Sequence, residues 1–582
     1  MLRLIGRLFR VIKTEKKVKL FFLFLLTLIS SIAEVVSLGS LLPFIGFVSN
    51  PDSVKDIEIL NFTLSYFKID GYLETVRFLA YTFILAAIIA GLTRLLLLRS
   101  TIQLSRQISA DLNIEIYQKV LTQSYLKQIS MNSGELISSL TQKVGQATSV
   151  LISVITVGTS SILFFSILGT LLLINPKISL VAGLIFGIIY FFIALLNKKK
   201  LIKNSELISV EHDNEVKILQ ESLGSIRDII ISNTYKIFFY IYNKTIVNLN
   251  RASAQNAFIS QSPRFFMETV GMVLIASIII FYSKEDFNLS NIIPLLAVLA
   301  LGAQRLLPLM QIIYGNLTVI MGSNASLEDV LKLLNKKEKK HTIKNSKYFK
   351  FKKNIVLKNI SFKYSNKSKY VLKNINLEVK PGERIGIIGE TGSGKSTLVD
   401  IFAGLIKPSK GNIHIDGELL SSKNTDHWYS KISYVPQNIF LLNSTLKENI
   451  AFGVSKKNIN MKKIKLVSKI AKLNKFILKN KNKYNQVIGE KGIKLSGGQR
   501  QRVGIARSLY RGSNVILFDE ATAALDIETE KKVIDAINNI SRNITIVMIA
   551  HRISTLKYCD KIVKLKDGSI EGIFNYNEIK DY

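Results

Sequence analysis

Between residues 20 and 320 the chain alternates long uncharged runs with polar, basic stretches. Six runs, 20–48, 78–98, 150–174, 178–197, 267–283 and 289–320, approach or exceed the roughly 20 apolar residues that carry a helix across a bilayer. Beyond residue 351 the pattern becomes one of short β-branched runs, ERIGIIG, NVILFDE and ITIVMIAH, each followed by a turn and then by helical spacing. That alternation predicts a soluble α/β domain. The lysine-rich stretch NKKEKKHTIKNSKYFKFKKN lies between the two regimes. The expected organisation is therefore an all-α six-helix transmembrane domain over 1–325, a linker over 326–350, and an α/β domain over 351–582.

Charge orients the first part. The N-terminus and the long segments between spans two and three and between spans four and five are rich in Lys and Arg, whereas in 49–77 acidic residues outnumber basic ones. By the positive-inside rule, the N-terminus and long loops are cytoplasmic and the external connections short. Within 49–77, Ile57, Leu60, Leu64 and Phe67 recur at helical spacing, which fits either a surface amphipathic helix or a segment packed on the spans. The basic opening precedes an apolar run longer than a signal core with no A-x-A-like site after it, so the first span is expected to be retained.

Across the whole chain 78 Lys and Arg face 42 Asp and Glu, a net charge of +36. The lysines are spread throughout rather than focused in one patch, so no nucleic-acid partner is expected. Cys559 is the only cysteine, which excludes an internal disulfide or a CxxC metal site and suits a reducing cytosolic face.

Three motifs carry the chemistry of the second part. GIIGETGSGKSTLVDIFAGL contains GxxxxGKS, from Gly389 through Glu390, Thr391, Gly392, Ser393 and Gly394 to Lys395 and Ser396, with Thr397 following. Glycines let backbone amides converge on phosphate oxygens; the lysine reaches the β/γ-phosphates and Ser396 helps hold Mg²⁺. In NVILFDE an apolar strand ends in Asp519, placed to reach Mg²⁺, and Glu520, placed to polarise an attacking water. The third, KLSGGQRQRVGIARSLY, spells LSGGQ over 495–499.

With that third motif the second part resembles the nucleotide-binding domain of ATP-binding-cassette (ABC) transporters, an α/β P-loop ATPase using ATP and Mg²⁺. The resemblance implies further roles. Tyr364 in SFKY would stack on adenine, and Gln437 in YVPQN would be the glutamine that touches Mg²⁺. Asp526 in AALD would be the D-loop acid, and His551 in IAHR the switch histidine at the γ-phosphate. Ala523 stands where a serine is commoner, which removes one D-loop hydrogen bond. The family sandwiches each ATP between one phosphate loop and the Ser496, Gly497, Gly498 and Gln499 segment of another domain. One copy of each motif therefore implies a second copy of the chain as partner, a homodimer with both sites hydrolytic.

Six spans fused ahead of one cassette is the arrangement of exporter-type half-transporters. LTQSYLKQISMNSGELISSLTQKVGQ and ESLGSIRDIIISNTYKIFFYIY resemble their two intracellular loops. That implies an inner-membrane location in a bacterium, with the ATPase domain in the cytoplasm.

Isolated charges in or beside the spans are Glu34, Arg94, Arg264, Glu268 and Arg305. Arg305 is the only charged residue from Phe287 to Leu327. Such groups face a bundle interior or an aqueous cavity; they either pair with one another or contact cargo. IAEVVSLGSLLPFIGF, the arginine of SPRFF and RLLP are similar to lipid-linked oligosaccharide flippases, which implies Arg94, Arg264 and Arg305 as contacts for the phosphates of a polyprenyl-pyrophosphate-linked glycan. A further arginine expected after RLLP is replaced by Gln311 or Ile312. Drugs, peptides or other lipids remain alternative cargoes, and an ATP-switched membrane regulator an alternative role.

Overall fold

The computed structural model describes residues 2–49, 64–66, 69, 71–174, 176–282, 289–335, 351–365, 367–520, 527–550 and 552–579. The expected surface helix around Ile57, Leu60 and Phe67, most of the lysine-rich connector, Asp526 and His551 lie outside them. The chain divides into two compact units, one of residues 1–123 with 127–338, the other of 124–126 with 339–582.

The first unit is helical. Its elements are α1 (Leu2–Val11), α2 (Thr14–Ser49), α3 (Tyr72–Leu121), the short α4 (Tyr125–Ser130) and α5 (Ser133–Ser138), then α6 (Val144–Ile174) and α7 (Pro176–Gly224). The short α8 (Ile226–Ile231), α9 (Tyr235–Tyr282), α10 (Leu289–Gly322) and α11 (Asn324–Leu334) complete it. The six expected spans fall in α2, α3, α6, α7, α9 and α10. Among the described residues four helices are long and apolar enough to cross a membrane, beginning at Thr14, Tyr72, Ser133 and Ser179. With 50 residues, α3 is about 75 Å long at 1.5 Å per residue, well beyond a hydrocarbon core of about 30 Å. Its second half carries the polar sequence that the span pattern leaves outside the bilayer.

Several hydroxyls inside these apolar helices bond back to the preceding turn, whereas the buried hydroxyls of Ser30, Ser37 and Ser105 have no hydrogen-bond partner among the described residues. The hydroxyls of Thr27 and Thr101 donate to the carbonyls of Leu23 and Leu97, both at 2.8 Å. Between α5 and α6 a five-residue π-turn, Ser139–Lys143, places the buried Lys143 ammonium 2.7 Å from Asp213 and 2.9 Å from Asp329. The first part of the expected linker is itself helical: α11 buries Leu327, Val330, Leu331, Leu333 and Leu334 in the core of this unit. It bends 58° from the preceding helix. Its apolar spacing is what holds it there, so the connector proper begins after it.

The second unit contains a four-stranded antiparallel sheet, ordered β2-β1-β4-β5, of β1 (Ile355–Phe362), β2 (Leu372–Val379), β4 (Lys410–Ile415) and β5 (Glu418–Leu419). A six-stranded sheet has the order β10-β9-β3-β8-β7-β6, from β3 (Arg384–Gly389), β6 (Ile432–Val435), β7 (Val515–Asp519), β8 (Thr545–Ile549), β9 (Lys561–Lys566) and β10 (Ser569–Phe574). Strands β6, β7, β8, β3 and β9 run parallel, and β10 is antiparallel at the edge. Parallel strands covered on both faces read as unbroken apolar runs, and β8 is buried at all five positions. Alternate residues divide between two cores: Leu517 and Val547 pack on one face beside Leu398 and Ile401, Phe518 and Met548 on the other beside Val503 and Val533. In open parallel sheets, ligands bind beyond the carboxyl ends of the strands. Here β3, β7 and β6 end in the GxxxxGKS loop, in Asp519 and just before Gln437.

Candidate functional site

Strand β3 ends at Gly389, and helix α12 (Lys395–Phe402) begins six residues later. The turn between them needs backbone that L side chains rarely adopt: φ is +152° at Gly389, +87° at Gly392 and +98° at Gly394. A Cβ at Gly389 would lie 2.3 Å from the Leu565 carbonyl oxygen, and one at Gly394 2.7 Å from a Leu372 methyl. Lys395 is buried, and its Nζ donates to the carbonyl oxygens of Gly389 (2.8 Å) and Glu390 (2.9 Å), so the loop wraps its own cation. Ser393 Oγ is buried with no hydrogen-bond partner among the described residues. An unsatisfied buried hydroxyl costs about 1–3 kcal/mol, and an incoming phosphate oxygen would satisfy it. Ser396 is exposed beside Thr397, whose hydroxyl lies 3.0 Å from the Tyr364 hydroxyl. The Tyr364 ring is half exposed and packs edge-on against Phe362 at 5.0 Å.

At the end of β7, Asp519 Oδ2 accepts from the Tyr434 hydroxyl at 2.7 Å. Burial lifts the Asp519 carboxyl above its ordinary range, opposed by the Tyr434 hydrogen bond, raised further by Glu520, and drawn back by Lys395. Burial and the Asp519 hydrogen bond push the Tyr434 phenol strongly up, so Tyr434 holds its proton and donates. Behind the loop, Asp400 on α12 is pushed up to about 6 by burial and by Asp519.

Glu520 sits in left-handed backbone, φ +48°, a conformation costing of order 1–3 kcal/mol for a residue with a Cβ and concentrated at functional sites. Its amide donates to the Ile549 carbonyl at 3.2 Å, and its Oε2 accepts from Gln437 Nε2 at 2.8 Å. The Gln437 carbonyl accepts from Gln501 Nε2 at 2.6 Å.

Gln501 lies on α17 (Gly497–Arg511; α13 to α16 are Thr425–Lys431, Leu446–Ile450, Met461–Ile470 and Asn474–Lys479), the helix that LSGGQ opens. Ser496 is its N-cap: Ser496 Oγ accepts from the Gln499 amide at 3.3 Å and Gln499 Oε1 from the Ser496 amide at 2.9 Å, a closed capping box. The amides of Gly497 and Gly498 open a 15-residue helix whose dipole favours an anion there.

The structure thus brings the phosphate loop, Asp519, Glu520 and Gln437 together at one end of the sheet. It does not bring Ser496–Gln499 to them: among the described residues no hydrogen bond or ion pair joins that segment to the phosphate loop. Tyr434, Asp400 and Gln501 were missed by sequence reasoning. Tyr434 stands inside YVPQN, but a strand tyrosine carries no chemical signature until its partner 85 residues away is known.

The residues expected to hold Mg²⁺, Ser396, Gln437 and Asp519, can each offer a side-chain oxygen, as a hard cation requires. No group of three His, Cys, Asp or Glu side chains that could hold a metal exists among the described residues. This donor set suits a cation that takes its remaining oxygens from a nucleotide's phosphates.

In the helical unit the buried Glu34 carboxylate forms an ion pair with Arg305 and lies 3.8 Å from Arg94. Arg264 Nε donates to Glu268 Oε1 at 2.8 Å. Gln311 is tied to its neighbours: its Nε2 donates to the Ser260 carbonyl at 2.8 Å, and its Oε1 accepts from the Tyr190 hydroxyl at 3.3 Å.

Fold and site together define a phosphate-loop ATPase domain carried on a multi-pass helical membrane domain. The family model described as the ABC transporter matches residues 372–523, and that of the ABC transporter transmembrane region matches residues 18–301. The chain belongs to the ABC transporters. It is 40% identical over 225 residues to the leukotoxin translocation ATP-binding protein LktB of Pasteurella haemolytica-like sp. (strain 5943B), covering 39% of this chain and 32% of that protein. It is 42% identical over 225 residues to the ATP-dependent lipid A-core flippase of Wigglesworthia glossinidia brevipalpis, covering 39% of each. The matched segment thus spans less than two fifths of the length of these relatives. A solved bacterial Atm1-family ABC exporter with ATP bound shares the fold, with a TM-score of 0.76 at 18% identity over 97% of this chain and 96% of that one.

Proposed function

We propose that this chain is half of an ATP-driven exporter or flippase of a bacterial inner membrane, working as a homodimer with its N-terminus and ATPase domain in the cytoplasm. The observation that carries the reading is the Gln437–Glu520 hydrogen bond beside the phosphate loop, at the end of the same sheet as Lys395 and Asp519. In this reading Lys395 releases the loop carbonyls for the β/γ-phosphates of ATP, the amides of 389–397 hold the phosphate chain, and Tyr364 stacks on the adenine. Glu520 takes the proton of the attacking water, with Gln437 orienting its carboxylate and His551 steadying the γ-phosphate. Ser396, Gln437 and Asp519 would hold Mg²⁺, which would supply positive charge beside the transferred phosphoryl group. Ser496, Gly497, Gly498 and Gln499 of one copy close over the nucleotide of the other, with Asp526 at the same seam.

The cargo in this proposal is a polyprenyl-pyrophosphate-linked glycan turned from the inner to the outer leaflet. Arg94 and Arg305 share the single carboxylate of Glu34, so that cluster keeps one net positive charge for a phosphate; Arg264, mostly exposed and paired with Glu268, would be a further contact nearer the cytoplasm. The test is ATP-dependent translocation of a lipid-linked glycan in proteoliposomes. Wild type should flip it and Glu520→Gln should not. ATP turnover without flux of this or any other lipid, peptide or drug would instead support a membrane regulator.

A further inference from the structure

An open groove of about 250 Å³ lies between α2 and α3, away from the charged cluster at Glu34. Its lining is polar at Lys19, Ser100, Gln103 and Gln107 and apolar at Phe22, Leu23, Leu26 and Leu104. Its height follows from the chain: Lys19 immediately precedes the first apolar run and Ser100 closely follows the second. The groove therefore opens where two spans leave the hydrocarbon, on the side that carries the N-terminus.

The cations here are not equivalent. Lys13 and Lys16 face Asp111 at 3.1 and 4.0 Å, whereas no carboxylate among the described residues pairs with Lys19. Lys16 and Lys19 donate to Gln107 Oε1 at 2.7 and 3.3 Å, which occupies the acceptor of that carboxamide and leaves its NH₂ to donate. Gln103 and Ser100 make no side-chain hydrogen bond to any described residue. One uncompensated ammonium, two carboxamides and a hydroxyl thus surround a space with room for roughly eight waters at about 30 Å³ each.

We propose that this groove binds the phosphodiester headgroup of an anionic inner-leaflet phospholipid, with an acyl chain running along Phe22 and Leu26. A free phosphate ion would use the polar lining only. An apolar lining continuous with the lipid-facing surface of α2, where Phe22 is more than half exposed, fits a ligand that carries its own hydrocarbon. Basic pockets between membrane helices on the cytoplasmic side are suited to such headgroups. The assignment rests on the cytoplasmic placement of the N-terminus proposed above.

The test is native mass spectrometry of the full-length protein in detergent, titrated with phosphatidylglycerol or phosphatidylcholine. Wild type is expected to retain phosphatidylglycerol about fivefold better, the effect of one basic residue near an anionic headgroup. Lys19→Gln should abolish that preference and Gln103→Leu should reduce it, while Lys17→Gln, on the neighbouring exposed lysine, should keep it. The proposal is overturned if Lys19→Gln retains the preference, or if Lys17→Gln loses it equally, which would mean diffuse surface charge. Displacement of the lipid by millimolar inorganic phosphate would also overturn it in favour of a free-anion site. Because the readout needs neither ATP nor flux, it stands or falls separately from the transport reading.

Discussion

Arg305 and Glu34 form an ion pair inside the helical unit, the carboxylate almost fully buried and Arg94 3.8 Å away on its other side. An arginine at the middle of an apolar span is tolerated because an acid on the first span meets it. Removing one partner of a buried pair leaves an uncompensated charge and costs about 3–5 kcal/mol, whereas replacing both by apolar residues is often neutral. Glu34→Leu should therefore lower the thermal midpoint markedly, and Glu34→Leu/Arg305→Leu should recover most of the loss. Glycan flux should separate the two roles of the arginine: the double variant should stay inactive while folded. Wild-type flux in that variant would mean that Arg305 only neutralises Glu34.

Glu520 is held by its backbone and by Gln437. Glu520→Gln keeps the volume and can still hydrogen-bond Gln437, but cannot accept a proton from water. ATP hydrolysis should fall by about 10²–10⁴-fold with nucleotide affinity within a few-fold of wild type, measured by phosphate release and by binding of a fluorescent ATP analogue. Gln437→Ala, which frees the carboxylate without removing it, should cost less than Glu520→Gln.

The motifs were legible because their chemistry fixes short spacings: a phosphate loop needs its glycines within six residues of its lysine, and LSGGQ opens its helix within five. Pairing across the chain was not. Glu34, Arg94 and Arg305 stood out in the sequence, yet which of them pair did not, because spacing along separate helices does not set their rotation. Tyr434 meets Asp519 only because β6 pairs with β7 in parallel register, and the order β3-β8-β7-β6 is decided by packing of both sheet faces. The π-turn at Ser139–Lys143 had no compositional mark, and α11 was read as linker because its lysine-rich sequel dominated the window.

Ser496 has two separable tasks. As N-cap of α17 it stabilises its own domain; at the proposed dimer seam it would donate to a γ-phosphate. Ser496→Ala should lose about 1 kcal/mol of stability together with hydrolysis. Ser496→Asp should keep the cap, since aspartate accepts from the Gln499 amide equally well, yet place a negative charge against the phosphate. Thermal melts without nucleotide should thus rank Asp with wild type and Ala below, while ATPase assays should show both variants impaired. Normal hydrolysis by Ser496→Asp would remove Ser496 from the nucleotide seam.

Asp400 gives the second unit a pH dependence of predictable sign. Its carboxyl is pushed up to about 6 by burial and by Asp519, from an ordinary 3.8. The folded state therefore holds this proton more tightly than the unfolded chain, and stability falls as pH rises from about 4 to about 6, after which the cost is fully present. Asp400→Asn should remove that dependence. At pH 7.5 the variant should melt above wild type by a few degrees, at about 2–4 °C per kcal/mol for a domain of this size, the gap narrowing toward pH 4.5. A gap that widens on acidification would mean that Asp400 is stabilised as the anion, and that burial and Asp519 do not act on it as their placement implies.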